Sequence, residues 1–192
     1  MMFTDFERCA SECVDAIPQV FIWRMDKRFL IDMDVHEAIR HRRSIRAYKD
    51  KPVETEKLDK ILAAGRWAPS ASNKQPWHFI VVQDDGIRKR LANVHPYGRF
   101  MAQSPVVIVA LGEPDRHPRY HLADPHQAVQ NMLLAAYAEG LGTCWMGVRD
   151  TSIEPKFREI LDIPEDFRVI CSVSLGYPDQ ERTSNRRDMD EN

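Results

Sequence analysis

The sequence predicts one domain of α+β or α/β layers, and three observations predict it. Short β-branched or apolar runs alternate with stretches of helical period along most of the chain. The 192 residues, 43% of them hydrophobic, suffice for one sizeable core. No internal repeat divides the chain into stacked units. The connections leave strand directions open.

Residues 1 to about 32 show no strong period and read as an N-terminal extension of unassigned role, with the domain proper at 33–192. Asp34 is placed to cap a first helix, in which Val35, Ala38 and Ile39 form an apolar stripe and which ends near Arg42. The basic loop RRSIRAYKDKP follows, closed by Pro52. Leu58, Ile61, Leu62 and Gly65 mark one face of a second helix, which WAPSASN ends. Trp77 to Gln83 and Pro105 to Leu111 read as buried strands, with a helix from Asp84 to about Val94 between them.

From about Asp124 to Glu139, apolar residues cover much of the helical circumference, which predicts a central helix packed on several sides and capped by Gly140. A strand from Thr143 to Val148, a helix from about Ser152 to Leu161 and a strand from Arg168 to Leu175 complete the pattern.

Lys and Arg number 27 against 29 Asp and Glu, a net charge of −2, so no global field favours nucleic acid or acidic membranes and any anion site must be local. No apolar run approaches the roughly 18 residues of a spanning helix, and the opening MMFTDFERCASECVDAIPQVF carries acids where a signal peptide has bases. The expected location is the cytoplasm. Cys9, Cys13, Cys144 and Cys171 lack C-x-x-C spacing and signal neither a disulfide framework nor zinc.

Three segments carry chemistry. Arg42, Arg43, Ser44 and Arg46 bring three guanidinium groups and a hydroxyl to one helix-to-loop junction, the donor set of a phosphate clamp, with a solvated basic face or a nucleic-acid patch as the plain alternatives. Residues 68–77, APSASNKQPW, form a polar turn before a strand, and its amides can meet the carbonyls and nitrogens of a heteroaromatic ring or simply cap the turn. GLGTCWMG, 140–147, follows a helix and enters a strand, the reverse of the dinucleotide fingerprint; its glycines permit close backbone approach to a flat ligand.

RRSIR, PSASNKQPW and GLGTCWMG, in this order, resemble the nitroreductase family over about Met33 to Arg187. The resemblance implies an α+β fold with a mixed sheet surrounded by helices and FMN at a homodimer interface. It implies that Arg42, Arg43, Ser44 and Arg46 hold the FMN phosphate and ribityl chain. Pro69, Ser70, Ala71 and Asn73 would line the flavin of the opposite subunit. The backbone of Met146 and Gly147 would approach the ring with an N–H near N5, and Arg187 would add a second phosphate contact. Where the family often has a lysine before that arginine, this chain has Asn185, leaving Arg186 to substitute or the contact absent. Many relatives continue into an arm beyond the point where this chain ends at Asn192.

The implied activity is an FMN-dependent oxidoreductase that passes hydride from NADH or NADPH through flavin N5 to nitroaromatics or quinones by ping-pong kinetics. Dehalogenation, dehydrogenation, flavin breakdown and non-catalytic flavin storage are the alternatives. No side-chain nucleophile is required. His36 and His41 miss H-E-x-x-H spacing by one residue, and Pro118 and Pro125 interrupt the looser set His117, His121, Asp124 and His126, so no metal site is expected. Cys144 and Trp145 are expected in the core.

Overall fold

The computed structural model of the chain describes residues 33–184 and Arg186; the expectations for residues 1–32, Asn185 and Arg187 lie outside the described residues. In chain order the elements are α1 (Val35–His41), α2 (Thr55–Arg66), β1 (Trp77–Val82), α3 (Asp85–Val94), β2 (Val106–Gly112), α4 (Asp124–Ala138), β3 (Gly142–Gly147), α5 (Glu154–Leu161) and β4 (Arg168–Gly176). Short 3₁₀ turns at Ala71–Asn73 and Arg99–Ala102, without a signal in the period, join them.

Local chemistry sets the helix ends. Asp34 Oδ1 accepts the N–H groups of His36 at 2.7 Å and Glu37 at 3.2 Å, and Asp84 Oδ1 accepts that of Ile87 at 2.7 Å. α4 stops at Gly140, whose φ of 75° suits a residue without Cβ. There the Gly140 N–H meets Tyr137 O and the Leu141 N–H meets Ala136 O, the paired bonds of a Schellman motif.

The four strands lie in the order β1-β2-β4-β3, and every pairing among them is antiparallel. Among the described residues, the mixed character implied for the sheet is confined to one parallel bridge between Ser44 and Thr143. Both faces are covered. Leu58 and Ile61 of α2 and Val129 and Met132 of α4 pack on Val106, Ile108, Ala110 and Val173. Leu91 of α3 and Phe157 of α5 pack on Val107 and Val109 on the other side. Central β2 is accordingly buried at all seven positions, whereas β1, expected as a buried strand, lies at a sheet edge and fully buries only Trp77 and Val82. Gly65 lets α2 cross close over α4: a Cβ there would fall 2.8 Å from Met132 Cγ.

Two expectations about the core are corrected. Of the α1 stripe only Ala38 is buried; Val35 and Ile39 are 56% and 55% exposed, because α1 lies against α4 by one narrow contact and turns its remaining apolar residues outward. Trp145 is 42% exposed: strand alternation sends Cys144 and Met146 into the core beside α3 and α5, and Trp145 to the opposite face at the sheet edge.

Candidate functional site

The basic junction is built where α1 ends. The Arg42 N–H closes the helix on Ala38 O at 3.0 Å, and Arg43 Nη1 donates to the carbonyls of Arg40 at 2.6 Å and Arg42 at 2.8 Å. Arg43 thus spends one end of its fork on capping, while its Nε is buried without a partner. The chain then runs beside β3: Ile45 N–H donates to Thr143 O at 2.8 Å. It is also bound to the segment after β4, through Lys49 N–H to Tyr177 O and Asp179 N–H to Ala47 O, both at 2.9 Å. Tyr48 Oη is within 2.6 Å of both Ile45 O and Ser174 Oγ, and burial raises its pKa against the opposing hydrogen bond with Ser174.

Charge at this junction is unbalanced. Burial pulls the Arg42 pKa below its ordinary value, and the neighbouring Arg186 and Arg43 pull it further. No carboxylate among the described residues contributes to that shift. Arg46 reaches over Phe100, with Cζ 5.9 Å from the ring centroid. Cys144 is buried in the same place; burial pushes its thiol up, opposed by Arg46, by a hydrogen bond from Ser44 and by Arg42. A cationic group with an orphaned buried N–H and without its own anion is suited to a phosphate.

β3 connects this cluster to the second part of the site. The carbonyls of Thr143 and Gly147 both point away from β4, the first to Ile45 N–H and the second to the His95 imidazole, whose Nε2 lies 3.2 Å away. A residue's N–H and C=O leave a strand on the same side, so the Gly147 N–H emerges on this open edge. From Gly142 to Gly147 the strand advances roughly 17 Å, the scale of a phosphate, a polyol chain and a fused ring laid end to end. The Trp145 indole covers the outer face near Gly147 and tilts against His126, with centroids 5.8 Å apart.

The third segment stands beside the N-terminus of α4. Ala71 N–H donates to Asp124 Oδ2 at 3.0 Å, Ser70 Oγ accepts from Gln75 N–H at 2.9 Å, and Gln75 Nε2 donates to Asn73 Oδ1 at 3.0 Å. Ser72, Asn73 and Gln75 hold φ of 51°, 53° and 50°, a left-handed cluster without glycine. Pro69 and Asn73 are exposed while Ser70 and Ala71 are half-buried. The arginine cluster sits by the other end of α4, whose 15 residues span roughly 22 Å. Neither segment lines the depression of about 560 Å³ between Tyr48, Val53, Arg88 and Pro105.

Sequence reasoning missed His95, Asp124 as an anchor and Phe100. Their partners lie far away along the chain, beyond the reach of any local period. The histidines of the looser cluster are engaged locally: His117 Nδ1 accepts from Arg119 and Tyr120 N–H, and His121 Nδ1 is 3.1 Å from His117 O. Among the described residues, no group of three or more His, Cys, Asp or Glu is placed to hold a metal ion, and no helix is long and apolar enough to cross a membrane.

The Nitroreductase family model matches residues 39–95 and 93–177. The chain belongs to the nitroreductase family. A protein of Methanothermobacter thermautotrophicus with the provisional name NADH dehydrogenase/NAD(P)H nitroreductase is 41% identical over 149 residues, covering 76% of this chain and 78% of its own length. Among solved structures, an FMN-dependent nitroreductase of Clostridium difficile R20291 matches with TM-score 0.75 and 34% identity, covering 79% of this chain and 91% of its own. A provisionally named nitroreductase of Desulfovibrio desulfuricans, solved in complex with FMN, matches with TM-score 0.74 and 35% identity over 83% and 95%. The nitroreductase fold therefore extends across both sheet faces and all three motif segments.

Proposed function

We propose that the chain is an FMN-dependent NAD(P)H oxidoreductase that acts as a homodimer. The carrying observation is the guanidinium cluster of Arg42, Arg43 and Arg186, unneutralised by any described carboxylate and set at the head of β3. In this reading Arg42, Arg43, Ser44 and Arg46 bind the phosphate and ribityl chain, and Arg186 supplies the contact for which relatives use a lysine. Arg187, outside the described residues, joins them. Met146 and Gly147 offer backbone to the ring, with the Gly147 N–H toward N5.

The names of the relatives support the cofactor and donor. Held by these residues, FMN would supply the redox chemistry, a hydride transfer at N5 between NADH or NADPH and an electron-poor acceptor such as a nitroaromatic or quinone. The protein's residues hold the ring, exclude water from one face and leave the other open. Pro69, Ser70, Ala71 and Asn73 line the flavin of a second copy. That division accords with a turn that presents Pro69 and Asn73 to solvent and with the apolar residues Val35, Ile39 and Trp67 left exposed on the single chain.

The purified protein is expected to be yellow. Anaerobic NADH or NADPH bleaches it, and a nitroaromatic or quinone restores the colour, with parallel double-reciprocal lines in steady state. Colour that persists under excess of both nucleotides, with intact FMN bound, would overturn the reductase reading in favour of storage.

A further inference from the structure

We propose that His95 is a positioning residue for the flavin, acting through Gly147. The inference rests on the functional reading above and adds to it a residue outside all three motif segments.

His95 ends α3, its own N–H donating to Leu91 O at 3.2 Å. The residue is 6% exposed and both ring nitrogens have partners. Nδ1 lies 3.2 Å from the Tyr97 N–H and must accept, so the ring proton resides on Nε2 and is donated to Gly147 O at 3.2 Å. One neutral tautomer satisfies both contacts. Burial, which lowers the pKa against the opposing bond to Gly147, favours the same neutral form.

The imidazole is itself held. Phe157 meets it edge-on at 6.4 Å, and Gly98 packs so close that a Cβ there would fall 2.8 Å from His95 Cβ and Cγ. The other end of the bond is the weak point of the edge strand. Gly147 is the last residue of β3, has no side chain to limit its torsions, and has its carbonyl on the side that, among the described residues, no neighbouring strand covers. Val148 and Arg149 then both donate to Ile170 O, at 3.3 and 3.2 Å, so the chain leaves the ladder just after this residue. The His95 bond holds the peptide plane between Gly147 and Val148 and so restrains ψ of Gly147, steadying the strand end from which the Gly147 N–H leaves on the same edge.

Two variants separate the two nitrogens. His95→Asn retains an acceptor near Tyr97 N–H but is too short to reach Gly147 O. His95→Gln sets its amide nitrogen near the position of Nε2 and restores that donor. In the apo protein, His95→Asn should speed amide hydrogen exchange at Gly147 and Val148, and His95→Gln should largely reverse this.

With FMN bound, His95→Asn should raise the midpoint potential, because an N–H aimed at N5 favours the oxidised ring, whose N5 accepts, over the reduced ring, whose N5 carries a proton. Because the ring is then less well positioned against the nicotinamide, flavin reduction by NAD(P)H should slow about tenfold despite the larger driving force, while FMN affinity, set mainly at the arginine cluster, stays within about threefold. His95→Gln should return both readouts toward wild type. If both folded variants bind FMN with wild-type potential and exchange rates, the role of His95 is wrong and the functional reading stands. If the wild-type chain takes up no FMN, the functional reading fails and the inference with it.

Discussion

Ile45 and Gly142 are packed so closely that a Cβ at Gly142 would lie 2.7 Å from Ile45 Cγ1 and 2.8 Å from its Cβ. Glycine in GLGTCWMG thus has a second use besides approach to a ligand: it admits the side chain that pins the basic loop to β3. Gly142→Ala should push that loop outward, destabilise the apo protein by about 1–3 kcal/mol as overpacking does, and weaken FMN binding. A melting curve and an FMN titration both at wild-type values would refute the coupling.

Arg42 should separate binding from folding. Its charge is held against Arg43 and Arg186 in a half-buried place, so Arg42→Ala relieves repulsion in the apo protein and its melting temperature should hold or rise. FMN affinity should instead fall about tenfold to a hundredfold, the loss of a charge-assisted contact of about 1.5–3 kcal/mol. Arg42→Lys should recover only part, since an ammonium lacks the bidentate fork. An unchanged FMN affinity in Arg42→Ala would remove Arg42 from the phosphate site.

What could be read from the sequence was whatever lies close along it. Asp34 capping α1, the apolar circumference of α4 and Gly140 closing it are local signals, and each stands in the structure where its chemistry puts it. The three motif segments were legible because residue chemistry and order coincide. Trp145 misled because an aromatic residue between buried neighbours reads as core, although alternate strand positions face opposite ways and its face runs out of cover at the sheet edge. Val35 and Ile39 misled differently: their stripe is genuine, but among the described residues little lies against it. The His95 bond to Gly147 spans 52 positions and leaves no periodic trace.

Asp124 should govern the Ala71–Asn73 turn. It is buried, and Oδ2 accepts the Ala71 N–H ahead of three left-handed residues that, apart from Asn73, have little intrinsic preference for that region. Asp124→Ala leaves that N–H without its acceptor at a local cost of about 1–3 kcal/mol. Amide exchange over residues 71–75 should quicken, with global melting affected much less; Asp124→Asn, which keeps a carbonyl acceptor, should behave nearly as wild type. Wild-type exchange in Asp124→Ala would show that the turn is held by its own bonds from Ser70 and Asn73.

Acid should unfold the apo protein in two stages, each with a named origin. Burial depresses the folded-state pKa of His95, and burial with Arg149 depresses that of His126. The unfolded chain therefore takes up these protons first, and the stability from two neutral imidazoles, complete above about pH 6.5, is lost as pH falls through their folded values. The second stage belongs to Glu154. Burial raises its pKa, but Arg168, at 2.8 Å and 3.0 Å, and the N–H groups of Asp150 and Val169 outweigh that and leave it depressed. Its contribution is present above the ordinary glutamate range and disappears as pH falls through the lower folded value. Glu154→Ala should cost about 2–4 kcal/mol at neutral pH, below the full worth of a buried pair because Arg168 keeps partial access to water. Urea melts across the pH range check both stages: Glu154→Gln should flatten the lower slope and leave the upper, while His126→Gln should reduce the upper alone. A lower slope that persists in Glu154→Gln would assign the acid sensitivity to other carboxylates.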